Sequence, residues 1–238
     1  MTQAELERCV IAAVKSAQRK KLEYPLYGPW MEALAHVVGG DAVIHPQYPL
    51  IPARLAHKSL PPPDSRGKRP RDQRKQPDGV MLSYEKAKVN GVLKYIPHVR
   101  GLLEIKAAHG ADDKDYDRLA ALAFPIIESL LADQVKYQAR YAFAFDHALQ
   151  VCPAVVAIGQ FWRLCGFRLE SINRNALSIS EQITDELMNE FVVVTRFDID
   201  GSHPPAFLVR DEKFLIDLLY QAWVIMRQST LWAPRVTM

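Results

Sequence analysis

The sequence predicts an α/β fold, a mixed sheet flanked by helices, and three observations carry that expectation. Stretches with the apolar repeat of an amphipathic helix lie on both sides of a cluster of short apolar segments suited to strands. Residues 151–161 (VCPAVVAIGQF) form a nearly continuous apolar run, the pattern of a strand buried on both faces. Helix-like and strand-like stretches alternate without an internal repeat, so one layered domain over residues 1–238 is expected.

The first element is an amphipathic helix over 3–19, with Leu6, Cys9, Val10, Ala13, Val14 and Ala17 on one face. A second helix over 29–38 tolerates Pro29 in its first turn and stops at Gly39-Gly40. Residues 41–45 read as a short strand, after which Pro46, Pro49 and Pro52 keep the chain extended or irregular. Strands are predicted over 78–82 and 99–107, while 83–96 is ambiguous apart from the turn signal Asn90-Gly91, which can join two hairpin strands. Residues 112–149 read as mainly helical with a break or kink at Pro125. Strands follow at 151–161, 167–172 and 191–197, and a closing helix at 211–228 carries Phe214, Leu215, Leu218, Leu219, Ala222 and Ile225 on its apolar face.

Composition bounds the function classes. Apolar residues make up 49% of the chain and charged residues 24%, an ordinary globular balance. The formal charge of +3 is unevenly placed: Lys58, Arg66, Lys68, Arg69, Arg71, Arg74 and Lys75 oppose only Asp64 and Asp72, a net of +5 within 58–75. With its four prolines, 58–76 is expected to be a solvated, mobile loop, and its positive charge suits a polyanion because each neutralised phosphate releases condensed counterions. It also has the look of a basic nuclear-import signal.

Cys9, Cys152 and Cys165 are too few and too scattered for a zinc site, and Cys9 and Cys152 are expected in the core. The N-terminus lacks the apolar region of a signal peptide, and no apolar run approaches a membrane span. An intracellular protein, nuclear or cytoplasmic, with no membrane partner is the expectation. The seven histidines show no HExxH or HxH spacing; His109, just after the 99–107 strand, is the nearest to the candidate chemistry. Asp198 and Asp200 resemble part of a calcium loop whose later ligands are missing.

The informative stretches are Gln76-Pro77-Asp78-Gly79-Val80 and Leu102-Leu103-Glu104-Ile105-Lys106. Side chains alternate along a strand, so Glu104 and Lys106 share one face while Leu103 and Ile105 take the other. Two charged groups on an otherwise apolar strand are costly unless they pair or coordinate something. Carboxylates from neighbouring strands, Asp78 and Glu104, would suit Mg²⁺, which keeps several waters and completes its shell with substrate phosphate.

These residues resemble the PD-(D/E)xK nuclease superfamily, the restriction-endonuclease-like fold. Pro77-Asp78 looks like the PD element and Glu104-Ile105-Lys106 like the (D/E)xK element, with a 26-residue separation long enough for a hairpin. The resemblance covers about 29–165 and implies an αβββαβ core. It implies a Mg²⁺- or Mn²⁺-dependent nuclease acting on nucleic acid, DNA before RNA, with Asp78 and Glu104 as ligands and Lys106 orienting the attacking water. Members usually add a carboxylate from the first core helix, for which Glu32 is the candidate, ahead of Glu5, Glu7 and Glu23. A glutamine from the helix after the (D/E)xK strand often joins, here Gln138, with Gln134 and Tyr141 on the same face. The pattern is similar to the glutamine–tyrosine motif of some members, although it runs QxxY rather than QxxxY.

Arg66, Lys68, Arg69, Arg71, Arg74 and Lys75 would then guide the phosphate backbone, and a homodimer is a common arrangement in this fold. The alternative is a catalytically silent member of the same fold that binds nucleic acid or protein, or acts as an effector.

Overall fold

The computed structural model describes residues 5, 8–13, 16, 24–52, 76–107, 116–159, 161–179, 183–198, 206–207, 209–210, 213–214, 220 and 224. The arrangement is α/β. The helix α1 (Tyr24–Val38) is followed by β1 (Val43–Pro46), β2 (Gly79–Val89) and β3 (Val92–Lys106). Helices α2 (Tyr116–Ala132) and α3 (Gln134–Phe145) lead into β4 (Val151–Ile158) and β5 (Phe161–Ile172). Short helices α4 (Arg174–Ile179) and α5 (Asp185–Phe191) then precede β6 (Val192–Phe197) and β7 (Ala206–Phe207). A separate ribbon pairs β8 (Val209–Arg210) with β9 (Lys213–Phe214).

The main sheet runs in chain order from β1 to β6, with β7 on the start of β5. All its pairings are antiparallel except β3–β4, whose crossover contains α2 and α3. On one face, Val80, Leu82, Val99, Leu102, Ala154 and Val156 join α2 and α3 in the larger core. On the other, Met81, Leu103, Ile105, Val155 and Ala157 meet Leu26, Trp30, Leu34 and Val38 of α1. The successive residues 80–82 and 102–105 thus divide between two cores, as the strand repeat requires.

Several boundaries depart from expectation for identifiable reasons. Helix α1 begins five residues early, at Tyr24, despite Pro25, Gly28 and Pro29: the stripe Leu26, Trp30, Leu34 and Val37 is buried, and that burial outweighs poor helix propensity. The expected long helix breaks at Asp133, between α2 and α3, and Pro125 lies inside α2. The 151–161 run is a strand only to Ile158. Gly159, at φ +60°, turns the chain, so Phe161-Trp162 open β5 rather than closing β4.

Cys152 is buried, but Cys9 is exposed, one helical step (about 100°) from the buried Val10. Lys213–Phe214 form a strand within the expected closing helix, of whose other residues only Tyr220 and Val224 are described, both helical. Most of the expected 3–19 helix also lies outside the described residues, though 8–13 are helical. No helix among the described residues is long and apolar enough to cross a membrane.

Candidate active site

Asp78 stands where β2 begins. Gly79 pairs with Leu103, and past that point β3 continues alone on its β2 side. The Asp78 carboxylate takes the open ladder position, Oδ2 accepting the Ile105 backbone N–H at 2.7 Å. Its Oδ1 accepts the Tyr27 hydroxyl at 2.9 Å, which ties α1 to the same point. At Gly79 a Cβ would lie 3.3 Å from Leu103 Cβ on the paired strand and 2.9 Å from the Met31 terminal methyl of α1, so any larger residue there would have to shift both neighbours.

Glu104 lies two residues beyond Leu102, on the sheet face covered by α3, and is 1% exposed. Gln138 Nε2 donates to its Oε2 at 2.7 Å, and Gln134 Nε2 donates to Oε1. Lys106, on the same face, places Nζ 2.5 Å from Glu104 Oε1 and 3.6 Å from Asp78 Oδ2. One ammonium therefore touches both carboxylates. Its side chain is 28% exposed, so the cluster opens to solvent through Lys106 while Glu104 forms the buried wall. The strand end is pinned from below: the Gly159 N–H donates to the Lys106 carbonyl at 2.8 Å, and the Trp30 indole N–H donates to the Gly159 carbonyl at 2.9 Å.

The Glu104 carboxyl is under opposing electrostatic influences. Burial pushes the Glu104 carboxyl above its ordinary range and the negative charge of Asp78 pushes it further, against the lowering effects of Gln138 and Lys106. Gln134 opens α3, so the positive end of that helix's dipole lies beside Glu104 and favours negative charge there. Gln138 Oε1 is buried with no hydrogen-bond partner, on the side chain whose Nε2 donates to Glu104. Among the described residues no group of three or more His, Cys, Asp or Glu could hold an ion. The donor set here is two carboxylates with an amide oxygen nearby, and hard oxygen donors of this kind fit Mg²⁺ or Mn²⁺ rather than zinc.

Asp78, Glu104, Lys106 and Gln138 are thus brought together, and Gln134 joins them. Glu32 is not: it is exposed, five residues past Tyr27 and therefore about 140° round α1 from the side chain that reaches Asp78. Tyr141, predicted on the face of Gln134 and Gln138, is buried in the larger core, and burial holds its phenol far above the ordinary tyrosine range. Asp198 accepts from Arg163 at 2.9 Å, within an ion-pair set with Glu128 and Arg196. Asp200, His109 and the basic residues Arg66, Lys68, Arg69, Arg71, Arg74 and Lys75 lie outside the described residues.

Sequence reasoning missed Tyr27. Its signal is faint, a tyrosine three residues before the buried Trp30, and it points nowhere until α1 is known to start at Tyr24. No protein-family model matches this chain, nor does any curated protein or solved structure.

Proposed function

We propose that this chain is a metal-dependent nuclease that hydrolyses phosphodiester bonds of nucleic acid, DNA in preference to RNA, on a restriction-endonuclease-like core. The observation that carries the reading is the Asp78–Glu104–Lys106 cluster, two carboxylates bridged by one half-open ammonium. Element order supports it as well: a helix, three antiparallel strands, a helical crossover and a strand parallel to the third.

Asp78 and Glu104 would hold Mg²⁺ or Mn²⁺, which when bound supplies a Lewis acid and a water of lowered pKa. The chain's own residues do the positioning. Tyr27 and the Ile105 N–H fix the Asp78 carboxylate, and Gln138 and Gln134 fix that of Glu104. Lys106 Nζ, the most solvent-accessible charge of the trio, is placed to hold the attacking water and to offset negative charge that develops on the phosphate.

The test is cleavage of DNA and RNA with Mg²⁺ or Mn²⁺ by wild type and by Asp78→Ala, Glu104→Ala and Lys106→Ala, each checked for folding by its thermal midpoint. Loss of cleavage in folded variants is expected. Unchanged cleavage in all three sinks the assignment.

A second reading, a silent nuclease-fold binding module, is favoured by one observation: every Glu104 oxygen already has a protein donor. Metal titration separates the two. A nuclease gains thermal stability with Mn²⁺ and loses that gain on Glu104→Ala, whereas a silent module responds in neither form.

A further inference from the structure

Beyond the sheet, the β2–β3 hairpin continues as a ribbon that the cores do not use. Six paired steps run from Tyr84↔Pro97 to Val89↔Val92, a projection of roughly 20 Å. No residue from Ser83 to Pro97 is buried. Asn90 (φ 52°) and Gly91 (φ 80°) close it with a two-residue turn, both in the left-handed region such tight hairpin turns need.

Register sorts its side chains. Lys86 faces Tyr95 and Lys88 faces Leu93, so with Tyr84 they share one side of the ribbon. The ribbon's one acid, Glu85, lies on the other side and is engaged by His98 Nε2 at 3.2 Å. Tyr95 is 64% exposed, and four of the nine exposed large apolar side chains among the described residues (Tyr84, Val92, Leu93 and Tyr95) fall in this short segment. Solvated ribbons seldom keep such side chains unless they meet a partner. A second copy is a poor occupant, because two lysine-bearing faces repel. A strand of alternating negative charge and flat rings matches the pattern of lysines and tyrosine.

We propose that this ribbon is an arm for single-stranded nucleic acid, with Lys86 and Lys88 on the phosphates and the Tyr95 ring stacked on an unpaired base. The proposal rests on the reading of nucleic acid as the partner, but not on cleavage. Base–aromatic stacking is tolerant of sequence, so the arm adds affinity without base preference.

The experiment is fluorescence anisotropy of the full chain in EDTA, where no divalent ion supports cleavage, with oligo-dT of about 20 nucleotides and a duplex of equal length. The single strand should bind more tightly. Lys86→Gln/Lys88→Gln should weaken it about tenfold or more near 0.1 M salt and flatten the log–log salt slope by about 1.4. Tyr95→Ala should cost about 5-fold or more, and Tyr95→Phe should restore binding, because the ring rather than the hydroxyl stacks. These side chains lie outside both cores, so thermal midpoints should not move.

Unchanged affinity and slope in the double lysine variant overturn the arm. So does a silent Tyr95→Ala with duplex bound equally well, or equal competition by polyglutamate. Metal-dependent cleavage with an inert arm removes this proposal alone. Arm-dependent binding without any cleavage removes the nuclease reading alone.

Discussion

Strand β3 carries two carboxylate clusters on the α3 side, one near each end of that helix, and they are built on different principles. Near Val99, before the strand pairs with β4 at Leu102, Asp146 covers an open ladder position. Its Oδ2 accepts the Val99 N–H at 2.9 Å, and its Oδ1 takes the Ala148 N–H at 3.0 Å and His98 Nδ1 at 3.2 Å. Two backbone donors and the His98 ring satisfy this carboxylate.

At the far end, Asp78 does the same for Ile105, but Glu104 is buried beside it and leans on side-chain amides and a lysine. Asp146, held by two backbone amides, serves the fold. Glu104 is buried against another acid, its carboxyl pushed up and held by side-chain groups alone, an arrangement that would suit the cation proposed above.

Four measurements break or sharpen that contrast. The largest effect is expected from Glu104→Gln, which keeps the shape but removes the charge: metal-dependent cleavage should fall on the order of 10³-fold or more, while Asp146→Asn leaves it nearly intact where the protein is folded. Equal losses in both would erase the distinction.

Next is stability. Asp146→Ala strands two backbone N–H groups and should cost roughly 3 kcal/mol in urea unfolding, with cleavage by the remaining folded protein unchanged.

Third is pH. Because the folded-state value of Glu104 is raised, its contribution to stability is fully present below the ordinary glutamate range, about 4.3, and is lost as pH rises through the raised value. An ion bound by the carboxylate expels that proton. The Mn²⁺-induced rise in thermal midpoint should therefore be small in acid and grow as pH increases. A rise independent of pH would place the ion elsewhere.

The smallest effects separate the two glutamines. Gln138→Leu removes a buried donor to Glu104 and should lower activity clearly, whereas Gln134→Ala, at an exposed position, should alter stability by no more than about 0.5 kcal/mol.

The site was more legible in the sequence than the elements around it. Strand alternation alone puts Glu104 and Lys106 on one face and buries Leu103 and Ile105 on the other, and that is the arrangement found. Helical spacing likewise put Gln134 and Gln138 on one face, and both reach Glu104. Tyr141, at i+7, lies nearly in line with Gln134 but roughly 10 Å further along the helix, where it meets the core instead of Glu104.

Glu32 was misplaced because it lies off the stripe Trp30, Ala33, Leu34 and Val37 that α1 turns to the sheet, while the residue that reaches Asp78, Tyr27, precedes the expected start of the helix. The hairpin arm was illegible for a simpler cause. With both faces in water, residues 83–96 carry no apolar alternation to read, and only Asn90-Gly91 betrays them. The turn at Gly159 was masked by the opposite condition: the apolar run continues on both sides of Gly159-Gln160, and that pair alone is a weak turn signal.

The hydrogen bond from Ile105 to Asp78 has an evolutionary corollary. Asp78 serves the sheet whether or not any reaction occurs, so drift cannot discard it without fraying the junction of two strands. Glu104 engages only side-chain donors, Gln138, Gln134 and Lys106, and its buried negative charge is costly there. A descendant that abandoned the chemistry would shed Glu104 early, toward a neutral or apolar side chain, and keep Asp78 long afterwards. On the proposed reading, the glutamate rather than the aspartate is the residue whose persistence in related chains would mark a working centre.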